Sequence, residues 1–97
     1  MLHNFMELPD ETIISYYDIE NDSVKVYIET PDEKFGFKHA TCFLPAEDWI
    51  DILGYTDKEI RYLQELVQSE KHMILEFAQN GGLEDASISS EQITSPY

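Results

Sequence analysis

The stretch from Thr56 to Gly82 constrains the fold most, because it carries the longest regular pattern in the chain. Ile60, Leu63, Leu66, Val67, Ile74, Phe77 and Ala78 recur at helical spacing. At about 100° per residue they share one broad face. Tyr62 and Met73 stand at its margins, and Leu75 projects elsewhere, where it offers a second contact. Thr56 and Glu59 have the Ser/Thr-to-Glu spacing of a capping box, in which each side chain satisfies a backbone N–H of the first turn. Asp57 adds negative charge at the positive end of the helix dipole. It also forms an acid-then-base i,i+4 pair with Arg61. Asn80-Gly81-Gly82 reads as the stop, with a left-handed cap. The pattern predicts a helix over 57–79, whose apolar face requires a sheet or a partner to cover it.

Glu70 interrupts that face, falling between Leu63 and Phe77. Three readings are open. The helix breaks near Ser69, which caps a second short helix. Glu70 sits at the edge of the covering sheet and reaches water. Or Glu70 is a buried acid with a partner. The edge reading leads, because a buried, unpaired carboxylate is costly.

The residues before the helix read as the sheet. Residues 2–8 are a short strand or an irregular arm, ended by Pro9-Asp10. Residues 12–17 are rich in β-branched and aromatic side chains. Val24, Val26 and Ile28 alternate with Lys25, Tyr27 and Glu29, as in a half-buried strand. Asn21-Asp22 is the corner joining these two runs into a hairpin. Pro31-Asp32-Glu33-Lys34 is the next turn. In the third run, Phe35, Phe37 and Phe43 oppose Ala40, Cys42 and Leu44 in parity. Such a strand is either covered on both faces or shifted by a bulge. Pro45 suits the first position of a helix, and residues 45–53 are read as a short helix ended by Gly54. The expected fold is α+β: an antiparallel sheet of three or four strands packed on a short helix and a long carboxy-terminal one. Residues 1–83 form the domain, and residues 84–97 an acidic, Ser-rich tail expected to be mobile.

Charge narrows the function. The chain carries a net charge of -14. Residues 1–33 hold nine acids against Lys25 alone. No basic stripe is present, so direct contact with nucleic-acid phosphates or anionic membranes is disfavoured. One cysteine, Cys42, forbids an internal disulfide and fits a reducing, cytoplasmic setting. The start lacks the basic and apolar regions of a signal peptide.

The chemical motifs fail on inspection. Asp18, Glu20, Asp22 and Glu29 match positions of a calcium-loop template. However, Ser23 stands where the loop needs glycine, and Val24 to Glu29 alternate like a strand. His39 and Cys42 lie on opposite faces of one strand, a poor geometry for a thiolate–imidazole pair. His3, His39 and His72 have no zinc-like spacing. Residues 45–53 and 57–79 together suggest a helix-turn-helix, but the second helix is acid-rich, so the pair reads as a structural corner. Trp49 is expected to pack against the long helix. No metal, cofactor or catalytic residue is assigned.

Phe43-Leu44-Pro45, Gly54 to Ile60, Leu63 to Val67 and Ile74 to Phe77 give the chain a resemblance to a group of small bacterial proteins of unknown function. Those proteins join a β-meander to a carboxy-terminal helical segment, and some occur in gene pairs resembling toxin–antitoxin modules. The resemblance implies a regulatory binding role and, through the polar residue common at the place of Glu70, one continuous helix.

The leading expectation is a non-catalytic acidic binding module of the antitoxin, immunity or anti-host type. Asp18, Glu20, Asp22, Asp32 and Glu33 would meet a basic surface on a protein partner. A small metal-assisted or hydrolase-like enzyme using carboxylates is the alternative, although no acid, base and nucleophile converge. A homodimeric module with Leu75 or Trp49 at its interface is the third.

Overall fold

Five strands precede one helix in the computed structural model, which describes residues 1–80. They are β1 (Leu2–Glu7), β2 (Ile13–Tyr17), β3 (Val24–Asp32), β4 (Gly36–Leu44), β5 (Asp48–Leu53) and α1 (Asp57–Gln79). All neighbours pair antiparallel in the order β1-β2-β3-β4-β5. The α+β expectation holds, with more strands than anticipated and a single helix among the described residues. The tail 84–97 and the glycines of the expected left-handed stop lie outside them. Asn80 itself is not left-handed, at φ -94. No helix among the described residues is long and apolar enough to cross a membrane.

Residues 45–53 do not form a short helix, so there is no helix-turn-helix. The Leu44–Pro45 peptide is cis, Glu47 is left-handed at φ 64, and the Glu47 N–H donates to the Phe43 carbonyl at 2.7 Å. This turn returns the chain alongside β4. There the β-branched and aromatic residues from Trp49 to Ile52 gain a ladder that one or two helical turns could not match.

The inner ladders β2–β3 and β3–β4 run without interruption. The two outer strands each carry extra residues: Phe5 bulges from β1, and Asp51-Ile52 oppose a single residue of β4. Asn21 and Asp22 are both left-handed, at φ 53 and 63, and form the two-residue hairpin corner read from the sequence.

One face of the sheet carries the core. Ile14, Tyr16, Val24, Val26, Ile28, Cys42 and Leu44 are buried against Leu63, Val67, Ile74 and Ala78 of α1. Ile60, Leu66, Trp49 and Leu75 pack at the margin of this cluster. Phe5 meets Phe77 edge-on, at 5.8 Å between ring centroids. Burial pushes the Cys42 thiol up to about 12, which leaves it an inert apolar group. The third strand is thus resolved: Ala40, Cys42 and Leu44 enter the core in regular register, while Phe37 stays exposed on the opposite face and Phe35 is exposed in the turn before β4.

α1 is unbroken across Ser69 and Glu70, and its capping box is formed. The Thr56 N–H donates to Glu59 Oε1 at 2.8 Å, and the Glu59 N–H donates to Thr56 Oγ1 at 3.1 Å. Glu70 is half-buried rather than enclosed. Two ion pairs tie the helix to the sheet: Lys38 to Glu59 at 3.0 Å and Lys71 to Glu47 at 2.6 Å.

Candidate docking face

No helix among the described residues lies over the second face of the sheet. Leu2, Ile13, Phe37, Ile50 and Leu53 point there and keep between 37% and 51% of their surface in solvent. Strand alternation places Lys25, Tyr27 and Glu29 beside them. One row across the sheet reads Asn4, Ser15, Tyr27, Thr41 and Ile50. Ser15 and Thr41, the short residues on either side of Tyr27, are buried. Tyr27 therefore rises as a ridge between two hollows.

The smaller hollow, about 190 Å³, includes Leu2, Ile13, Ser15 and Glu29 in its lining. The larger, about 440 Å³, includes Lys25, His39, Thr41, Asp51 and Leu53. Tyr27 is held firmly. Its hydroxyl donates to Glu29 Oε1 at 3.0 Å, and its ring stacks on His39 at 6.3 Å. Burial, then Glu29, pushes the phenol up to about 12, so it remains a neutral donor at physiological pH. Lys25 lies 5.3 Å from the centre of the Tyr17 ring. The face mixes exposed apolar and aromatic side chains with polar ones, Lys25, Glu29 and His39 among them.

The acids singled out from the sequence frame this face but do not form one cluster. Successive hairpins turn at opposite ends of a meander. Asp18, Glu20 and Asp22 lie at the β2–β3 end, and Asp32 and Glu33 at the β3–β4 end. Two of the five have internal work. Asp18 bonds His3 Nε2 at 2.6 Å and the amino group of Met1 at 3.1 Å. The His3 contact, then the amino group, holds its carboxyl below the usual range. Asp32 Oδ2 accepts from the N–H groups of Lys34 and Phe35, which fixes its own turn. Glu20, Asp22 and Glu33 are exposed. Glu29, the last position of the calcium-loop template, sits within β3 opposite Ile13, away from the turn that holds the other three acids. Among the described residues, no group of three or more His, Cys, Asp or Glu could hold a metal ion. His39 and Cys42 point to opposite faces, as alternation required.

A second concavity lies on the helix side, under the first turns of α1. It measures about 290 Å³, and its lining includes Leu8, Asp10, Thr12, Thr30, Lys38 and Tyr55, closed by Lys58, Glu59, Tyr62 and Leu63. Its floor is a run of hydroxyls. Thr12 Oγ1 and Thr30 Oγ1 are 2.6 Å apart, and Thr30 Oγ1 and Tyr55 Oη are 2.8 Å apart. Tyr55 also donates to the Lys38 carbonyl at 3.3 Å. Asp10 holds one end of the run, accepting from the Thr12 N–H at 3.0 Å. Contact with the Thr12 hydroxyl holds the Asp10 carboxyl below its usual range.

Neither concavity was read from the sequence. Tyr27 carried a signal, as the central aromatic on the polar parity of the clearest strand. Thr12, Thr30 and Tyr55 carried none, being far apart in the chain and meeting only in the folded structure. Comparison of the chain with protein-family models, with curated proteins and with solved structures gives no match in any of the three.

Proposed function

We propose that this chain is a non-catalytic protein-binding module whose uncovered sheet face docks a partner with an apolar centre and a basic rim. One observation carries this reading: an exposed apolar face, with Tyr27 ridged between two hollows, is flanked at both strand ends by acidic turns. Contiguous exposed apolar surface marks interaction sites. A rigid aromatic beside pockets is the usual form of a binding hot spot. The acidic turns add electrostatic steering, which acts on the association rate more than on residence time. A module of this kind neutralises or regulates a basic protein, in the manner of an antitoxin or immunity protein.

The test is binding kinetics with a partner captured from native lysate, at low and at physiological salt. The charge variant is Glu20→Gln with Asp22→Asn and Glu33→Gln, which leaves the Asp18 bonds to His3 and Met1 and the Asp32 turn bonds intact. It should slow association, and the loss should shrink as screening shortens to about 8 Å. Tyr27→Ala should instead accelerate dissociation by roughly thirtyfold, as expected for a central hot spot. A partner whose kinetics ignore salt, the charge variant and Tyr27→Ala docks elsewhere and overturns the reading.

A further inference from the structure

We infer that the cleft beneath the first turns of α1 is a binding site for a small neutral molecule with an apolar or aromatic body and one oxygen that accepts a hydrogen bond. The walls set the body. Leu8, Leu63 and the rings of Tyr55 and Tyr62 provide apolar surface on several sides. The volume, about 290 Å³, lies near the lower limit of small-molecule pockets.

The floor sets the polar group. Thr12 and Thr30 are 2% and 6% exposed, and their hydroxyls are engaged with each other and with Tyr55. Either atom of each pair can be the donor, so the run of hydroxyls can reverse direction. Its outer end is loosely held. The 3.3 Å bond from Tyr55 to the Lys38 carbonyl is longer than a good O–H···O bond. A ligand oxygen at ordinary distance would replace it favourably. Burial raises the Tyr55 phenol above its ordinary value, so the hydroxyl keeps its proton and acts as a donor at neutral pH.

Charge sets the rest. Asp10 and Glu59 are balanced on the lining by Lys38 and Lys58. Lys38 is already bonded to Glu59 at 3.0 Å and lies 5.6 Å from the centre of the Tyr55 ring. An anion would meet two carboxylates and the field of a chain at -14. A cation would meet two ammonium groups, one of them already over the Tyr55 ring. A neutral ligand avoids both costs. The cleft lies on the helix side of the sheet, so its occupancy stands or falls separately from the docking face.

The experiment titrates the full 97-residue chain with benzamide, benzoate and benzylamine while following methyl and amide NMR signals. These share one ring and differ in charge. Saturable shifts are expected at Leu8, Thr12, Thr30 and Leu63, with benzamide binding more tightly than either ion. Tyr55→Phe should weaken benzamide roughly three- to tenfold, the worth of one net hydrogen bond. Tyr62→Ala, at an exposed position, should weaken it by removing a wall, and Leu8→Trp should block the cleft. No saturable binding, equal affinity for all three probes, or full benzamide affinity in a folded Leu8→Trp chain would each overturn the assignment. Should Leu8→Trp fail to fold, unchanged affinity in both tyrosine variants does the same.

Discussion

Gly54→Ala should be among the most damaging single-atom additions to this chain, and its cost separates into two parts. Gly54 joins β5 to α1 with φ +91. An L-residue there loses about 1–2 kcal/mol to the left-handed backbone, offset by about 0.4–1 kcal/mol from the stiffer unfolded chain. The second part is steric. A Cβ at this position would stand 2.7 Å from Lys38 Cγ and 3.2 Å from Lys38 Cβ. Lys38 cannot swing aside freely, because its ammonium is bonded to Glu59. Overpacking of this kind adds about 1–3 kcal/mol. Gly36 supplies the control. Its φ is +83, yet nothing lies within 4 Å of its added Cβ. Gly36→Ala should therefore lose only the backbone part, about 1 kcal/mol. In thermal melts, Gly54→Ala should unfold at least about 4 °C below Gly36→Ala, given the slope for a domain of this size. Lys38→Ala should narrow that gap by removing the nearer contact. Equal midpoints for the two glycine variants would refute the argument.

Three further outcomes follow from described contacts. Asp22→Gly, at the second left-handed corner residue, should stabilise by roughly 1 kcal/mol in urea unfolding; a lower midpoint would count against the hairpin geometry. Leu63 is buried in the core, so Leu63→Ala should cost roughly 2–5 kcal/mol, and an unchanged midpoint would contradict the packing of α1. Glu59 has its carboxyl held below its usual range, first by the Thr56 backbone and then by Lys38. Its contribution is thus fully present above the unfolded value and is lost as pH falls through the folded one. Glu59→Gln should flatten the acid limb of a stability-against-pH curve, and an identical limb would rule out that linkage.

What the sequence disclosed was local. The capping box of Thr56 and Glu59, the alternation of Val24, Val26 and Ile28, and the Asn21-Asp22 corner depend on neighbours in the chain, and each is found where it was read. Residues 45–53 were misread because Trp49, Ile50, Ile52 and Leu53 fit a short amphipathic turn as well as a bulged strand, and Pro45 suits either a helix start or a turn. The choice rests on pairing with β4, which local spacing does not encode. The phenylalanines of the third run are expected to be covered or shifted; instead Phe37 stays 51% exposed while β4 keeps a regular register with β3. The sequence places Asp18, Glu20 and Asp22 at one turn and Asp32 and Glu33 at the next. A meander sends consecutive turns to opposite ends, so closeness along the chain became separation across the sheet.

The two outer strands have one further consequence. A sheet with an exposed apolar face invites growth, because each edge offers unpaired N–H and C=O groups to another chain. Here the irregularities fall on the edge strands: Phe5 in β1 and Asp51-Ile52 in β5 break the register with the neighbouring strand, and such bulges bend and twist the strand that carries them, while the inner ladders stay regular. An incoming strand finds no straight run of bonds to copy at either side. Stacking strand upon strand into a fibril is disfavoured without sacrificing the apolar face. The molecule can hold a sticky surface toward solvent because its margins terminate the sheet.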